Sequence, residues 1–256
     1  MCDVATAPAS FTSPPPPPSP PTTAPHHHHQ PPPPPITTHH HPPHTTTTPS
    51  PGLAVYLHAD RWKNALPSTV RVTALPDSGF FLETDTAQDG DGPRVAEPPF
   101  GQYAAGMKAM VLMSNATAGL SPACLAGRAV TDQWRCIFAQ ESAKHLATPT
   151  FALQSAYDTW QLANEMAPGA EKDAAAVNAY GSRVRHALAA TLLADSRHGA
   201  FIESCAHHCF AWGEIRADGA VQADAFAAWW RSHGRSKSVW NQTVPYPCTA
   251  CCHGGG

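Results

Sequence analysis

The chain has 256 residues, room for one domain of ordinary size, and a formal net charge of −3. Its 16 lysines and arginines form no run, so the basic patch typical of nucleic-acid-binding proteins is absent from the sequence. No stretch approaches the roughly 18 consecutive apolar residues of a membrane-spanning helix. We therefore expect neither a nucleic-acid partner nor a membrane span.

The first 51 residues differ sharply in composition from the rest. They hold 18 of the 28 prolines and 8 of the 16 histidines, and Asp3 is their only charged residue. Proline runs lack amide donors and favour an extended polyproline II chain over a packed core. We predict a disordered low-complexity segment over residues 1–51 and a folded domain over residues 52–256. Tracts such as His26–His29 lack the fixed spacing of a metal site, so no metal is predicted there.

The first half of the folded part begins with a helix pattern. Apolar residues recur at helical spacing over residues 53–66, and the pattern stops before Pro67. Residues 70–75 form a short β-branched run that predicts a buried strand, and the Asp-Ser-Gly sequence at 77–79 predicts a turn. Glycine and proline over residues 86–101 predict a loop.

The second half alternates between helix and strand patterns. A weak helix is predicted over residues 106–120, followed by a loop that contains Cys124 and Cys136. The further predicted strands are 150–154 and 200–203, and the further helices are 159–166, 177–194 and 222–231. Helices alternating with short apolar strands predict an α/β fold with a mostly parallel sheet.

Ionisable side chains follow two of the predicted strands. Asp158 comes shortly after the strand predicted over residues 150–154, and His207 and His208 come after the strand predicted over residues 200–203. An acid at a strand end, then a histidine after a later strand, is the order found in α/β-hydrolase triads. There the carboxylate orients the imidazole, which takes the nucleophile's proton. Asp158 also suits the N-cap of the next helix, and both roles are compatible, whereas Asp77 is interpreted as a turn residue.

Seven short blocks spread along the folded part carry a specific resemblance. They are GLAVYLHAD (52–60), LP (66–67), DSGFFL (77–82), CIFAQ (136–140), AYDTWQL (156–162), FIESC (201–205), and YPC (246–248) up to CH (252–253). In this order they resemble the pectin acetylesterases of plants and algae, a family that includes the animal Notum carboxylesterases. The resemblance implies an α/β-hydrolase-like fold whose N-terminal strands are missing from this sequence. It also implies release of acetate from acetylated pectin or another polysaccharide, without a cofactor, in the extracellular space or cell wall.

The resemblance also implies roles for individual residues. It places the catalytic acid at Asp158 and the general base at His208, the histidine directly before the second cysteine of Ser-Cys-x-x-His-Cys. The family's nucleophilic serine, in Gly-x-Ser-Ala-Gly-Gly, aligns with Pro49. Ser50 lies one place late between two prolines, which lack the backbone N–H that an oxyanion hole requires.

The nucleophile is therefore predicted to be absent, and the chain to be inactive as written. A gene model that lost its first exons would explain the missing serine, the missing upstream strands and the lack of a secretory signal over residues 1–10. The alternative is a non-catalytic protein that binds carbohydrate or another partner.

The eight cysteines indicate disulfides or a metal site. By resemblance, the disulfide candidates are Cys124, Cys136, Cys205, Cys209, Cys248 and Cys252. Cys124 with Cys136 would close a short loop, whereas pairing among the last five cysteines stays open and Cys251 has no counterpart in the family. The alternative is a zinc site formed by the later candidates with His208 and His253.

Overall fold

The computed structural model describes residues 52–84, 102–248 and 250–252. The predicted disordered segment with Pro49, the predicted loop over 86–101, and His253 lie outside the described residues. The α-helices are α1 (Gly52–Ala65), α2 (Gln102–Met113), α3 (Pro122–Ala126), α4 (Ala139–Ser142), α5 (Thr159–Glu165), α6 (Ala174–Ala190) and α7 (Gln222–Ser232). The strands are β1 (Phe151–Ser155), β2 (Gly199–Glu203), β3 (Arg216–Ala217), β4 (Ala220–Val221) and β5 (Val239–Asn241).

Three of the strands form a parallel sheet in the order β1-β2-β5, with Phe151 opposite Gly199 and Ala200 opposite Val239. The predicted α/β class with a mostly parallel sheet is therefore confirmed. Strand β5 was not predicted, because three residues are too few to show a period of two. Strands β3 and β4 form a small antiparallel hairpin beside it.

The strand predicted over residues 70–75 is only partly present. Single parallel bridges join Ala74 to Thr150 and Asp77 to Leu153, so this segment flanks β1 without forming a continuous strand. The Phe151 amide donates a hydrogen bond to the Ala74 carbonyl, and the Leu153 amide donates one to the Pro76 carbonyl. The ladder is interrupted because Pro76 has no N–H to donate between these bonds.

Side chains of the sheet alternate between two hydrophobic cores. Ala152 and Ala200 face the core that contains Val55 of α1 and Val184 of α6. Phe151, Leu153 and Phe201 face the opposite core, with Trp229 of α7 and Trp240 of β5. Burial on both faces is typical of parallel strands, which explains why β1 and β2 begin with the apolar and small residues Phe151–Leu153 and Gly199–Ile202. None of the described helices has the length and apolar character needed to cross a membrane.

A third core surrounds the Cys124–Cys136 region, where the sequence predicted a loop. This part contains helix α3 and a 3-10 helix, Val130–Ile137, so the loop prediction was wrong. The overlooked signal was local, because Ser121 accepts a hydrogen bond from the Cys124 amide and proline occupies the first helical position.

Two helix boundaries also differ from the prediction. Helix α2 begins before residue 106 and ends at Met113, ahead of Asn115, whose φ of 47° is left-handed. Helix α6 begins earlier than predicted because Asp173 caps it, accepting a hydrogen bond from the Ala175 amide. It ends at Ala190, and residues 192–194 form a separate 3-10 helix.

Candidate active site

The carboxyl ends of β1 and β2 bring the predicted acid and base together. Because the two strands are parallel neighbours, the residues that follow them lie at the same edge of the sheet. The Nδ1 atom of His208 lies 2.9 and 2.8 Å from the two carboxylate oxygens of Asp158. Asp158 is fully buried, and 14% of the His208 side chain is exposed. This pair is the centre of the candidate active site.

Asp158 is held in place by the first turn of helix α5. Its Oδ1 atom accepts hydrogen bonds from the amides of Trp160 and Gln161, at 2.9 and 3.1 Å. The residue is therefore the N-cap of α5 and the partner of His208 at the same time, and the helix dipole favours its negative charge.

The hydrogen bond to Asp158 determines which ring nitrogen of His208 carries the proton. A carboxylate accepts only, so Nδ1 must be the donor, and Nε2 of the neutral ring has a free lone pair. No residue among 52–84, 102–248 and 250–252 forms a hydrogen bond with Nε2. The imidazole can therefore act as a base toward a group outside this pair.

The loop that carries His208 is tied to the end of β1. Ser155 donates its hydroxyl proton to the carbonyl of Cys205, at 2.5 Å, and accepts a hydrogen bond from the amide of Tyr157. The Thr159 amide donates to the carbonyl of His207, at 3.2 Å. Sequence reasoning missed Ser155, because a serine inside an apolar strand shows its role only when the second strand is beside it.

His207, the neighbour of the predicted base, belongs to a second pair. Its Nε2 atom lies 2.6 Å from Oε1 of Glu203, which is fully buried at the end of β2. Burial lowers the pKa of His207, but the hydrogen bond to Glu203 and its charge outweigh that effect, so the pKa is raised overall. The structure therefore separates the two adjacent histidines, each with its own carboxylate.

A cluster of aromatic side chains lies beside the His208 ring. Trp160 stacks on His208 with ring centroids 6.3 Å apart and an interplanar angle of 30°. Phe81 and Tyr103 lie against Trp160, at centroid distances of 4.8 and 5.8 Å. Trp160 therefore stacks on one face of the imidazole, and Phe81 and Tyr103 support the Trp160 ring.

The family model described as Pectinacetylesterase matches residues 48–253, most of the chain. The chain belongs to the pectinacetylesterase family. Among relatives, Pectin acetylesterase 11 of Arabidopsis thaliana is 31% identical over 175 residues, which cover 61% of this chain and 41% of that protein. Pectin acetylesterase 4 of the same plant is 25% identical over 229 residues, covering 78% and 51%. The chain spans about half the length of the curated relatives it matches.

A solved structure extends the likeness to the fold of the family. The Wnt deacylase Notum from Drosophila matches with a TM-score of 0.56 and 20% identity, covering 75% of this chain and 55% of that one. At this identity the likeness concerns the fold alone. It confirms the predicted α/β-hydrolase-like fold for this pectinacetylesterase family member.

Disulfides occupy the cysteine-rich part of this pectinacetylesterase family member. Among the described residues the pairs are Cys124–Cys136, Cys205–Cys252 and Cys248–Cys251, with Cα–Cα distances of 6.0, 5.3 and 5.8 Å. Cys209, another predicted disulfide candidate, is disulfide-bonded as well. Cys251, which the sequence left without a counterpart, is thus the partner of Cys248. Of the residues in the alternative zinc site, His208 is hydrogen-bonded to Asp158, whereas the sulfurs of Cys205, Cys251 and Cys252 lie within 4.8 Å of one another.

Proposed function

We propose that this chain has the acid and base of a carboxylic ester hydrolase that acts on acetyl esters of pectin. The observation that carries the proposal is the 2.8 Å contact between His208 Nδ1 and the buried Asp158 carboxylate. The names of the relatives, pectin acetylesterases 11 and 4, support the substrate class. We further infer that residues 52–256 form the esterase domain.

The proposed mechanism passes through an acyl-enzyme. His208 takes the proton of a serine hydroxyl as that oxygen attacks the acetyl carbonyl, and Asp158 stabilises the resulting imidazolium. His208 then returns the proton to the leaving sugar hydroxyl, and the acetyl group stays on the serine. Water, activated by the same imidazole, attacks the acetyl-serine and releases acetate. Each step needs only proton transfer and covalent catalysis by side chains.

The sequence has Pro49 where the family pattern has its nucleophilic serine. We therefore propose that the polypeptide with this sequence does not turn over acetyl esters by itself. Pro49 is also the specific observation that favours a second candidate function, a non-catalytic protein that binds pectin or another polysaccharide. The two candidates share the Asp158–His208 geometry and differ in whether His208 has a hydroxyl to activate.

A rebuilt nucleophile motif tests these proposals in the full chain. The substitutions Thr47→Gly, Pro49→Ser, Ser50→Ala and Pro51→Gly restore Gly-x-Ser-Ala-Gly-Gly, whose last glycine is Gly52, the first residue of helix α1. We expect the unmodified chain to release no acetate from acetylated pectin and not to react with a fluorophosphonate. The rebuilt chain is expected to be labelled at position 49.

The same experiment separates the roles of single residues. Labelling of the rebuilt chain should be lost with His208→Ala and retained with His186→Ala, an exposed histidine on α6 that serves as control. Equal labelling with and without His208, or none in a folded rebuilt chain, would overturn the acid–base proposal. Acetate release by the unmodified chain would overturn its inactivity, and pectin binding without turnover in every variant would support the second candidate.

We infer an extracellular, cell-wall location for the protein. Disulfides persist in oxidising compartments and are rare in the reducing cytosol, and three disulfides join pairs of cysteines within the described residues. Acetylated pectin, the proposed partner, is a cell-wall polymer. Labelling of free thiols in native protein from its source would test this, because a cytosolic protein would have reduced cysteines.

A further inference from the structure

The turn at Asp77–Gly79 contacts both helix α1 and the loop that carries His208. Ser78 and Gly79 have φ values of 60° and 84°, so the turn bends sharply after residue 77. A Cβ atom on Gly52 would lie 1.9 Å from the Ser78 carbonyl oxygen, and one on Gly79 would lie 2.3 Å from the Leu53 nitrogen. The turn and the first residues of α1 therefore pack backbone against backbone.

On its other side, the turn binds the two residues that follow His208. Cys209 and Phe210 have φ values of 59° and 60°, a left-handed conformation that residues other than glycine rarely adopt. The Cys209 amide donates to Oγ of Ser78, at 3.1 Å, and the Phe210 amide donates to Oδ2 of Asp77, at 3.0 Å. Two side chains of the turn thus hold two consecutive strained residues.

His207 holds the same loop from within. Its Nδ1 atom lies 3.3 Å from the carbonyl oxygen of Cys209, and its Nε2 atom lies 2.6 Å from Glu203. Both ring nitrogens therefore face acceptors, and only the protonated imidazole donates to both. Glu203 is fixed in turn by the Cys205 amide, at 2.5 Å.

We propose that Asp77, Ser78 and His207 are positioning residues that hold the Cys209–Phe210 turn and thereby keep His208 on Asp158 beside the start of helix α1. None of the three needs to touch a substrate. We call Asp77, Ser78 and His207, with their hydrogen bonds to the Cys209–Phe210 turn, the clamp. The proposal rests on the function proposed for His208, because the clamp matters for catalysis only if His208 is the base. It differs from the sequence interpretation of Asp77, which recognised the turn but not its link to the histidine loop.

The clamp is expected to depend on pH. The groups around His207 are Glu203 and Asp158, which favour its protonated form, together with Asp77 and His208. Arg185 lies near Glu203 on the far side. Because the pKa of His207 is raised in the folded chain, the hydrogen bond to the Cys209 carbonyl is present at low pH and is lost as the pH rises through that pKa.

The test measures the hydrogen bond of His208 itself, by NMR of its Nδ1–H proton in the full chain. Ser78→Ala and Asp77→Ala are each expected to speed exchange of this proton with water about tenfold, the effect of one lost hydrogen bond. Asp77→Asn keeps an acceptor oxygen for the Phe210 amide and should exchange like the unmodified chain. Asp173→Ala, which removes the cap of α6, is the control and should leave the exchange rate unchanged.

Exchange that is unchanged in Ser78→Ala and Asp77→Ala, or equally fast in Asp77→Asn and Asp77→Ala, would overturn the proposal. In the unmodified chain, exchange should also rise in a step with increasing pH, and this step should disappear in His207→Gln. A step that persists would remove His207 from the clamp. The readout needs no ester turnover, so it can succeed even where the rebuilt nucleophile fails, and the two proposals fail separately.

Discussion

Glu165 gives the sharpest prediction about the stability of this chain. Its side chain is fully buried at the end of helix α5. Tyr180 donates its hydroxyl proton to Oε2, at 2.6 Å, and the Leu82 amide and the Gln161 side chain donate over 3.4 and 3.3 Å. Burial raises the pKa of Glu165 from 4.5 to about 8, against the smaller opposing effect of these hydrogen bonds.

The raised pKa makes folding depend on pH with a definite sign. Between the ordinary value of 4.5 and about 8, the folded chain holds a proton on Glu165 that the unfolded chain has lost. Stability therefore falls as the pH rises through this window. The difference between the folded-state pKa of about 8 and the ordinary value of 4.5 corresponds to about 5 kcal/mol of stability, a large part of the free energy of unfolding of an ordinary domain.

The assay is urea unfolding followed by tryptophan fluorescence at several values between pH 5 and pH 9. The unmodified chain should lose stability across this range, whereas Glu165→Gln, which is neutral throughout, should lose about 4 kcal/mol less between pH 5 and pH 9. Glu214→Gln replaces an exposed glutamate and should follow the unmodified chain. Parallel stability curves for Glu165→Gln and the unmodified chain would refute the reasoning.

Three further predictions concern stability alone. Asp158→Ala should lower the free energy of unfolding by about 1–2 kcal/mol in urea titrations and Asp158→Asn by less, because asparagine also caps helices. Replacing Cys124 and Cys136 with serine should cost about 3 kcal/mol in calorimetry, since the disulfide closes a short loop. Gly79→Ala should cost about 2 kcal/mol or more because of its left-handed φ, whereas Gly106→Ala, in open helical space, should add about 0.5–1 kcal/mol.

Local patterns predicted the parts of the fold that depend on neighbours in the chain. The Asp-Ser-Gly sequence predicted the turn at Asp77, and the N-cap preference of aspartate predicted the start of α5 at Asp158. Both depend on a side chain meeting the backbone within a few residues. The short apolar segments that begin β1 and β2 were recognised for the same reason, because each segment can be identified in the sequence without knowing its partner strand.

Contacts between distant residues were beyond such patterns. Pro76 interrupts the ladder beside β1 only because it lies opposite the Phe151 carbonyl, and its effect depends on the register. The choice of Cys252 as partner of Cys205 depends on where the C-terminal residues run. Likewise, His207 and His208 are adjacent in sequence, and only the geometry at the end of β2 shows that His207 bonds to Glu203 while His208 bonds to Asp158.

The sequence by itself determined the α/β class, the family and the chain order of Asp158 and His208, because these follow from periodicity and from blocks of neighbouring residues. By resemblance, it also predicts that Pro49 stands at the family's serine position. Only the tertiary structure decided that Asp158 and His208 meet at 2.8 Å, and that Asp77 and Ser78 accept hydrogen bonds from the two residues after His208. These contacts join residues that are 50 or more positions apart in the chain. Hydrogen bonds over that separation form only when the parallel strands bring their carboxyl ends to the same edge of the sheet.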